Sequence, residues 1–455
     1  DTSTYNVAVG EDAGALLTTG IQNTIVGGLA GDAVTTGSYN VIMGTNAGGG
    51  VTTGDQNIII GQGTNAAALT GNTNTIIGDS AGQAMTSAAN NVAVGANTLV
   101  AHTTAANCTA VGANALQSNI AGADNTGLGK GALATNSSGS QNTAVGVRSM
   151  EDSTTSSDNT AIGWGSLTQN TTGANNAAIG RSALGTATTA SNNTAVGYIA
   201  GLNILTGDQN TLIGAAAGDA LTVGNSNVAV GYEALSGDTK GDRNVAIGRA
   251  ALQAQNFTTT TDAYNVAIGY GVGENITTGV NNVLIGGLAG DALTDADFNV
   301  AIGTQALTTD TLGSRSVAIG QHALQVQNFT TATNTFNVAV GYDAGVAVTT
   351  GVQNVLIGGT TGDALTDADF NVAIGTGALS SDTLGNRTTA IGHSALNSQN
   401  FTTATSTFNT AVGYVSGNNV TTGIRNTLIG SESGDAITSG NNNVAVGSGS
   451  LTTNI

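Results

Sequence analysis

Apolar positions recur along the chain within a short phrase, N-x-x-[VIML]-G, in which Asn is position 1 and Gly is position 5. The phrase begins 26 times between residues 6 and 443, with a regular 17-residue spacing that is interrupted by three 21-residue spacings. A fixed short period is the signature of a solenoid, in which each repeat forms one coil and packs on its neighbours. The pattern therefore predicts an all-β chain, a parallel β-solenoid or β-roll of about 26 coils with 17 residues per coil and periodic 21-residue coils.

Two positions of the phrase have fixed residue types. Position 5 is Gly in every repeat, which we expect at a corner where φ is positive or where the next coil leaves no room for a Cβ. Position 1 is Asn in 23 repeats, and a stacked Asn column can hydrogen-bond from coil to coil. The residues that we assign to these structural roles in the repeats with the clearest pattern are Asn282, Gly286, Asn299, Gly303, Asn354 and Gly358.

Positions 2 to 4 predict a short strand that is apolar on both faces. Positions 2 and 4 share one face and are mostly Thr or Val and Val, Ile, Leu or Met, whereas position 3 is Ala, Leu or Ile with one Gly. Because successive side chains of a strand point to opposite sides, one face fills the coil and the other packs against something outside it. We expect the Ala/Leu/Ile face to contact another copy of the chain.

Positions 9 and 12 compensate for each other in volume. Where position 9 is Leu, as at Leu307, position 12 is polar, as at Asp310. Where position 9 is Gly, as at Gly290, position 12 is apolar, as at Leu293. Each coil thus usually supplies one bulky side chain, which is how a core of fixed volume is filled.

A longer period begins at residue 193. Residues 1–192 are predicted to form regular 17-residue coils, and residues 193–455 to continue the same solenoid with a 72-residue superrepeat of three 17-residue coils and one 21-residue coil. Phe257, Phe329 and Phe401 mark this superrepeat, each within the phrase Q-N-F-T-T. Insertions in solenoids go to surface loops on one side, so we expect loops there.

Composition narrows the function classes. The 455 residues carry a net charge of −19 and only 8% charged residues, which excludes a nucleic-acid binder and docking on an anionic membrane. No apolar run is long enough for membrane insertion. Without a signal peptide or an initiating Met, we expect a mature product or a fragment. One cysteine, Cys108, excludes an intrachain disulfide framework.

Residues suited to catalysis are few and scattered. His102, His322 and His393 lie in different repeats, and His322 and His393 occupy positions where polar residues exchange freely, as on a solvated surface. Cys108 stands in the Asn column, where we expect it to be buried and unreactive. No nucleophile-elbow, zinc or P-loop pattern is present. We therefore predict that the chain is not an enzyme and needs no cofactor.

Calcium binding is the one metal hypothesis. The stretch G-D-A-L-T-D-A-D-F-N occurs twice, and clustered oxygen ligands suit Ca²⁺. The calcium-binding nonapeptide of β-roll toxins is not repeated here, and acidic turns that keep a rod soluble explain the same residues. The candidate ligands of a structural Ca²⁺ are Asp291, Asp295, Asp297, Asp363, Asp367 and Asp369.

A periodic aromatic stripe is the second candidate site. Tyr recurs at position 6, just after the corner Gly, and could join the Phe of Q-N-F-T-T in contacting a cell-surface glycan or protein. The alternatives are packing of each loop on its own coils and contact between subunits. The candidate contact residues are Phe257, Phe329, Phe401, Tyr270, Tyr342 and Tyr414.

The repeats as a whole have a familiar form. Phrases such as "NTAVGVRSM" and "NVAVGYEALSGDTKGDRNVAIG" resemble the Asn/Gly-rich repeats of bacteriophage and prophage tail-fibre shafts, and more distantly the N-S-V-A-I-G repeats of trimeric autotransporter adhesin heads. The resemblance covers essentially the whole chain. In the adhesin heads the phrase builds a left-handed parallel β-roll that associates into trimers. The resemblance thus implies left-handed coils and a homotrimer on a virion tail fibre or cell surface.

Three functional hypotheses follow from these observations. The first is an extracellular structural fibre, a rigid shaft or spacer of a phage tail fibre or surface adhesin. The second is a self-assembling filament or surface-layer subunit, which we consider because neither end of the sequence shows a recognisable cap and uncapped solenoid ends stack. The third is an adhesin that binds a glycan or protein side-on through the Tyr/Phe stripe.

Overall fold

A computed structural model describes residues 4–453, which form short strands, turns and irregular segments without any helix. The chain divides into two compact units, a first unit ending at Ser226 and a second unit beginning at Asn227. The boundary predicted at residue 193 marks a change in the repeat pattern. It does not coincide with the division into compact units, which falls between Ser226 and Asn227.

Each repeat contributes one short strand made of positions 2 to 4. The strands of the first unit are Val7–Val9, Thr24–Val26, Val41–Met43, Ile58–Ile60, Thr75–Ile77, Val92–Val94, Thr109–Val111, Thr126–Leu128, Thr143–Val145, Thr160–Ile162, Ala177–Ile179, Thr194–Val196 and Thr211–Ile213. Those of the second unit are Val228–Val230, Val245–Ile247, Val266–Ile268, Val283–Ile285, Val300–Ile302, Val317–Ile319, Val338–Val340, Val355–Ile357, Val372–Ile374, Thr389–Ile391, Thr410–Val412, Thr427–Ile429 and Val444–Val446.

Neighbouring strands pair in parallel and in register. In the first unit Thr160 lies opposite Ala177, one repeat later. In the second unit Val245 lies opposite Val266 across one of the longer coils. Equivalent positions therefore stack in the shorter and the longer coils alike, and the predicted parallel β-solenoid is confirmed for each unit.

The second unit has additional two-residue strands where its 21-residue coils rejoin the stack after the extra residues. These strands also pair in parallel: Gly241–Asp242 with Thr261–Asp262, Gly313–Ser314 with Thr333–Asn334, and Gly385–Asn386 with Thr405–Ser406. The extra residues therefore start after the buried Phe of Q-N-F-T-T and rejoin the stack just before the next Asn. The prediction that they form a surface loop is confirmed by the exposed residues 258–260.

The coil interior is lined by position 3, which corrects the predicted role of the Ala/Leu/Ile face. Leu284 and Ala301 are fully buried, as are the equivalent residues of the neighbouring coils. The side chains of positions 2 and 4 point outward, and Ile162 and Ile357 remain 39% and 37% exposed. The Ala/Leu/Ile face cannot touch another copy, because the narrow coil uses these smaller side chains to fill its own interior.

The predicted sharing of core volume between positions 9 and 12 is confirmed, and position 3 takes part in it. Leu307 and Leu293, which represent the two arrangements, are both fully buried. A Cβ on Gly290 would lie 2.9 Å from Leu293 Cδ1 and 3.0 Å from Leu284 Cδ2. Gly at position 9 of this coil therefore leaves room for the large apolar side chains at positions 3 and 12.

Candidate functional site

The Asn column joins successive coils through the side chain of position 1. The Asn282 side-chain oxygen accepts a hydrogen bond from the Asn299 backbone N–H at 2.9 Å. The Asn282 side-chain nitrogen donates to the Ala296 carbonyl of its own coil at 2.7 Å. Asn354 makes the same pair of contacts, accepting from Asn371 N–H at 3.0 Å. Because these amides are buried, each bond removed would leave a polar group unpaired in a dry interior.

The corner Gly of position 5 is required for both of the predicted reasons. Gly303 has φ +136°, a conformation that side chains rarely adopt. A Cβ on Gly303 would also lie 2.5 Å from the carbonyl oxygen of Gly320 in the next coil. Gly286 and Gly358 have the same combination of positive φ and a neighbouring corner too close for a side chain.

The outward side of the strands forms an apolar face in each unit, which we call the outer β-face and define as positions 2 and 4. Position 2 supplies mostly Thr or Val and position 4 supplies Val, Ile, Leu or Met. Its large side chains are about two-fifths exposed, as at Ile179 and Ile429. Contiguous apolar surfaces of this kind on soluble proteins mark places where another molecule binds.

Each 21-residue coil is accompanied by a buried hydrogen-bond relay that the sequence reasoning missed. Asp310 is fully buried, and its carboxylate accepts from Gly313 N–H at 3.1 Å, Phe329 N–H at 3.0 Å and Gln327 Nε2 at 2.6 Å. The Gln327 side-chain oxygen in turn accepts from Asn337 Nδ2 at 2.9 Å. Three coils are thereby joined through one Asp–Gln–Asn relay.

The relay recurs with the 72-residue superrepeat. Its three copies are Asp238–Gln255–Asn265, Asp310–Gln327–Asn337 and Asp382–Gln399–Asn409. Two exceptions in the Asn column bond to the relay: Gln327 donates to Ser316 Oγ at 2.9 Å and Gln399 donates to Thr388 Oγ1 at 3.0 Å. In the sequence, the signal is an Asp at position 12 of one coil, a Gln at position 12 of the next coil, and an Asn at position 1 of the coil after that.

The structure separates the six predicted aromatic contact residues into two sets. Phe257, Phe329 and Phe401 are at most 8% exposed, so they pack on their own coils rather than forming part of an accessible stripe. Tyr270, Tyr342 and Tyr414 are exposed by more than half. The alternative of loop packing thus describes the phenylalanines, and only the tyrosines remain available to a ligand.

The exposed tyrosines stack on neighbouring polar side chains of the same column. The Arg249 guanidinium carbon lies 5.5 Å from the Tyr270 ring centre, and Arg249 Nη1 donates to the Tyr270 hydroxyl at 3.0 Å. The His393 and Tyr414 rings are stacked with centres 5.5 Å apart. Such contacts hold the aromatic rings in defined positions while their edges face solvent.

A second aromatic column in the second unit was not anticipated. Between residues 264 and 408, the residue just before position 1 is an aromatic side chain in every second coil, about half exposed and with positive φ. Arg315 lies 4.8 Å from the Phe298 ring centre and Arg387 lies 5.1 Å from that of Phe370. Bulky residues are unfavourable at positive φ and exposed rings gain nothing from water, so these residues point to a contact. The column comprises Tyr264, Phe298, Phe336, Phe370 and Phe408.

The candidate calcium ligands do not converge. In each copy the three carboxylates occupy positions 10, 14 and 16 and bond to different parts of neighbouring coils. Asp291 accepts from Thr308 and Asp295 from Thr278, while Asp297 accepts from the Val280 N–H at 2.8 Å. Over residues 4–453, no three His, Cys, Asp or Glu side chains are grouped so that they could hold a metal ion.

The second copy of the acidic stretch behaves in the same way. Asp367 accepts from Thr350 and Asp369 from the Val352 N–H at 2.8 Å. Burial raises the pKa of Asp363 above its ordinary value, and the charge of Asp343 raises it further. Burial also raises the pKa of Asp291. The two position-10 carboxylates are therefore placed where ionisation is disfavoured.

The histidines have unequal environments. His393 is exposed, as predicted, whereas His322 is partly buried with Nδ1 2.9 Å from Asp343 Oδ1. His102 is fully buried at position 12, with Nε2 2.9 Å from the Ala105 carbonyl and Nδ1 3.0 Å from Asn119 Nδ2. This arrangement suits the neutral ring, and burial lowers the pKa of His102.

Cys108 takes the place of an Asn without interrupting the incoming bond of the column. Its backbone N–H donates to the Asn91 side-chain oxygen at 2.8 Å. The thiol is buried, as predicted, and burial raises the pKa of Cys108. A thiol with these properties is a poor nucleophile, because the thiolate is the reactive form.

No protein-family model matches the chain, and no match appears among curated proteins. The described residues also contain no helix of the length and apolarity needed to cross a membrane.

Proposed function

We propose that the chain is a non-enzymatic structural element, a stiff shaft or spacer in an extracellular fibre of a virion tail or cell surface. The observation that supports it is the Asn column, which repeats in both units together with a backbone ladder between coils. Each coil is bonded to its neighbours along its strand, its corner and its turn. Such a stack resists bending and gives proteases few segments that open independently.

The outer β-face supports a role for further copies of the same chain as partners, with a homotrimer as the assembly that we propose. Its centre consists of Val, Ile and Thr rows, and in the second unit its borders carry Tyr, Phe and Arg. Protein interfaces combine an apolar centre with aromatic and Arg residues in this way. A second copy of the chain has the same rows of side chains at the same spacing, so a contact made at one coil can be repeated at the next.

Mass measurement in solution tests this proposal. Sedimentation velocity and light scattering should give a discrete trimer, and Ile357→Lys should weaken it by placing a charge on the outer β-face. Ala332→Lys adds the same charge in an exposed loop and should leave the mass unchanged. Open-ended polymers in place of a discrete species would favour the filament hypothesis. A monomer at all concentrations would contradict self-association through this face.

A further inference from the structure

The few basic residues of the first unit gather around the only Trp of the chain. Lys130, Arg148 and Arg181 are all the Lys and Arg residues up to Ser226, and Trp164 lies among them. Lys130, Trp164 and Arg181 occupy position 6 of their coils and Arg148 occupies position 7. Since adjacent coils are about 4.8 Å apart, the cluster spans about 14 Å along one edge of the unit.

Two adjoining depressions run along this cluster and share Arg148 in their walls. Their volumes are about 380 Å³ beside Lys130 and about 180 Å³ beside Trp164. Gly131 lines the larger one and Gly165 the smaller one, where a side chain would have filled the space. The other polar lining groups are amides and hydroxyls, which can both donate and accept: Asn114, Gln117, Thr168, Gln169, Ser182 and Thr186.

Lys130 and Arg148 lie in the groove wall and Arg181 lies beside it, and these basic residues are not all neutralised by the protein. Arg148 pairs with Glu151, which also lines the larger depression. Within the described part of the chain, Lys130 and Arg181 take part in no ion pair, and both are exposed. The Arg181 guanidinium carbon lies 5.2 Å from the Trp164 ring centre and so holds the ring in place. The ring is 48% exposed and lines the smaller depression.

We propose that this groove binds an acidic saccharide. In this assignment Trp164 packs against a sugar ring, the amides and hydroxyls bond to sugar hydroxyls, and Lys130 and Arg181 pair with a carboxylate or sulfate. Each of these three kinds of group contacts a different part of the ligand: its apolar ring face, its hydroxyls or its negative charge. The proposal is independent of the structural role, because a fibre shaft needs no such groove.

Titration calorimetry with the full chain tests the assignment. The probes are an oligogalacturonate, a sulfated cello-oligosaccharide, a neutral cello-oligosaccharide and a single-stranded oligothymidylate. The two anionic saccharides should bind and the neutral one should not, and the stronger of the two identifies the acidic group. Trp164→Ala and Arg181→Gln should each weaken binding at least about tenfold, the loss expected for one charge-assisted or stacking contact.

The second unit provides a matched control. Arg249 occupies position 6 of its coil, as Arg181 does. It stacks on Tyr232 and Tyr270 as Arg181 stacks on Trp164 and Tyr198, so Arg249→Gln removes an equal charge elsewhere. Unchanged binding by Arg249→Gln supports the site. Three results would overturn it: no binding of either anionic saccharide, equal losses for Arg249→Gln and Arg181→Gln, or tighter binding of the oligothymidylate.

Discussion

Each unit contains the same kind of ladder, but the two units differ in how they accommodate polar residues inside the coil. In the first unit, buried position 12 carries hydrogen-bond donors: His102, Asn119, Asn136 and Asn170 each lie within bonding distance of the carbonyl of position 15 in the same coil. In the second unit, the Asp of each relay occupies position 12 and accepts from the N–H of position 15, as Asp310 does from Gly313.

This difference shows how a stack of coils with nearly the same sequence accommodates a longer coil. The Asp carboxylate at position 12 accepts a hydrogen bond from the N–H of its own turn. It also accepts one from the Phe N–H of the next coil, and the extra residues of that coil begin just after the Phe. The Asn and His side chains at position 12 of the first unit bond to the turn carbonyl of their own coils, and those coils keep the 17-residue length. The relay therefore stabilises the insertion, whereas the Asn column and the corner Gly are common to both units.

Substitution of the corner Gly is expected to have the largest effect and the same effect in both units. Gly163→Ala and Gly303→Ala each place a Cβ 2.5 Å from the next corner carbonyl at a φ near +135°. We expect a loss of about 3 kcal/mol or more in unfolding free energy for each. Gly28→Ala and Gly287→Ala are matched controls, since neither Cβ would meet an atom within 4 Å. Urea denaturation checks this, and a cost in only one unit would show that the ladders differ.

Loss of the relay carboxylate should have the next largest effect and should be confined to the second unit. Asp310→Ala leaves Gly313 N–H, Phe329 N–H and the Gln327 amide without their acceptor, which we expect to cost about 2 to 4 kcal/mol. Asn136→Ala in the first unit removes only two donated bonds and should cost about 1 to 2 kcal/mol. The measurements are urea midpoints and the hydrogen exchange of Phe329.

The control for this prediction is Asp295→Ala, which removes an exposed carboxylate of the same unit. Its midpoint should stay close to that of the parent protein. If Asp310→Ala were as mild as Asp295→Ala, the relay would not be what holds the 21-residue coil.

A smaller effect of pH is expected in the first unit. Burial lowers the folded-state pKa of His102, so the unfolded chain binds the proton more tightly. Stability should therefore fall as pH drops below about 6.5, the ordinary pKa of His, and the loss should continue towards the folded pKa. His102→Asn places in this coil the residue that Asn119 supplies in the next and should reduce the loss between pH 7.5 and 5. An unchanged pH profile would contradict the placement of His102.

The smallest expected effect concerns the second unit, and its dependence on pH has the opposite sign to that expected from His102. The raised pKa of Asp363 means that its protonated form favours folding at low pH, and this contribution is lost as pH rises through the folded pKa. Asp363→Asn should thus increase the urea midpoint slightly at pH 7 and have little effect below about pH 4, the ordinary pKa range of Asp. Asp367→Asn, at an exposed position, should change nothing. A decrease for Asp363→Asn at pH 7 would contradict the burial argument.

The sequence alone was sufficient for features that recur in every coil. The strand, the Asn column and the corner Gly each appear in repeat after repeat, so chance substitutions do not hide them. The inward and outward faces of the strand could not be distinguished from the sequence, because both are apolar and the repeat length does not determine the width of the coil interior. The relay was missed since Asp310 and Gln327 look like ordinary polar exchanges until the coils are stacked. Trp164 and its basic neighbours were missed because they occur once.

Amide hydrogen exchange at residue resolution tests the common ladder most directly. The backbone N–H groups of Asn159 and Asn299 both bond to the side-chain oxygen of the preceding Asn, at 3.1 Å and 2.9 Å, one in each unit. We predict that both N–H groups exchange slowly and to a similar degree, and that Asn142→Ala and Asn282→Ala accelerate their exchange equally. Rapid exchange of either N–H in the parent protein, or protection that survives the loss of its Asn acceptor, would contradict the account.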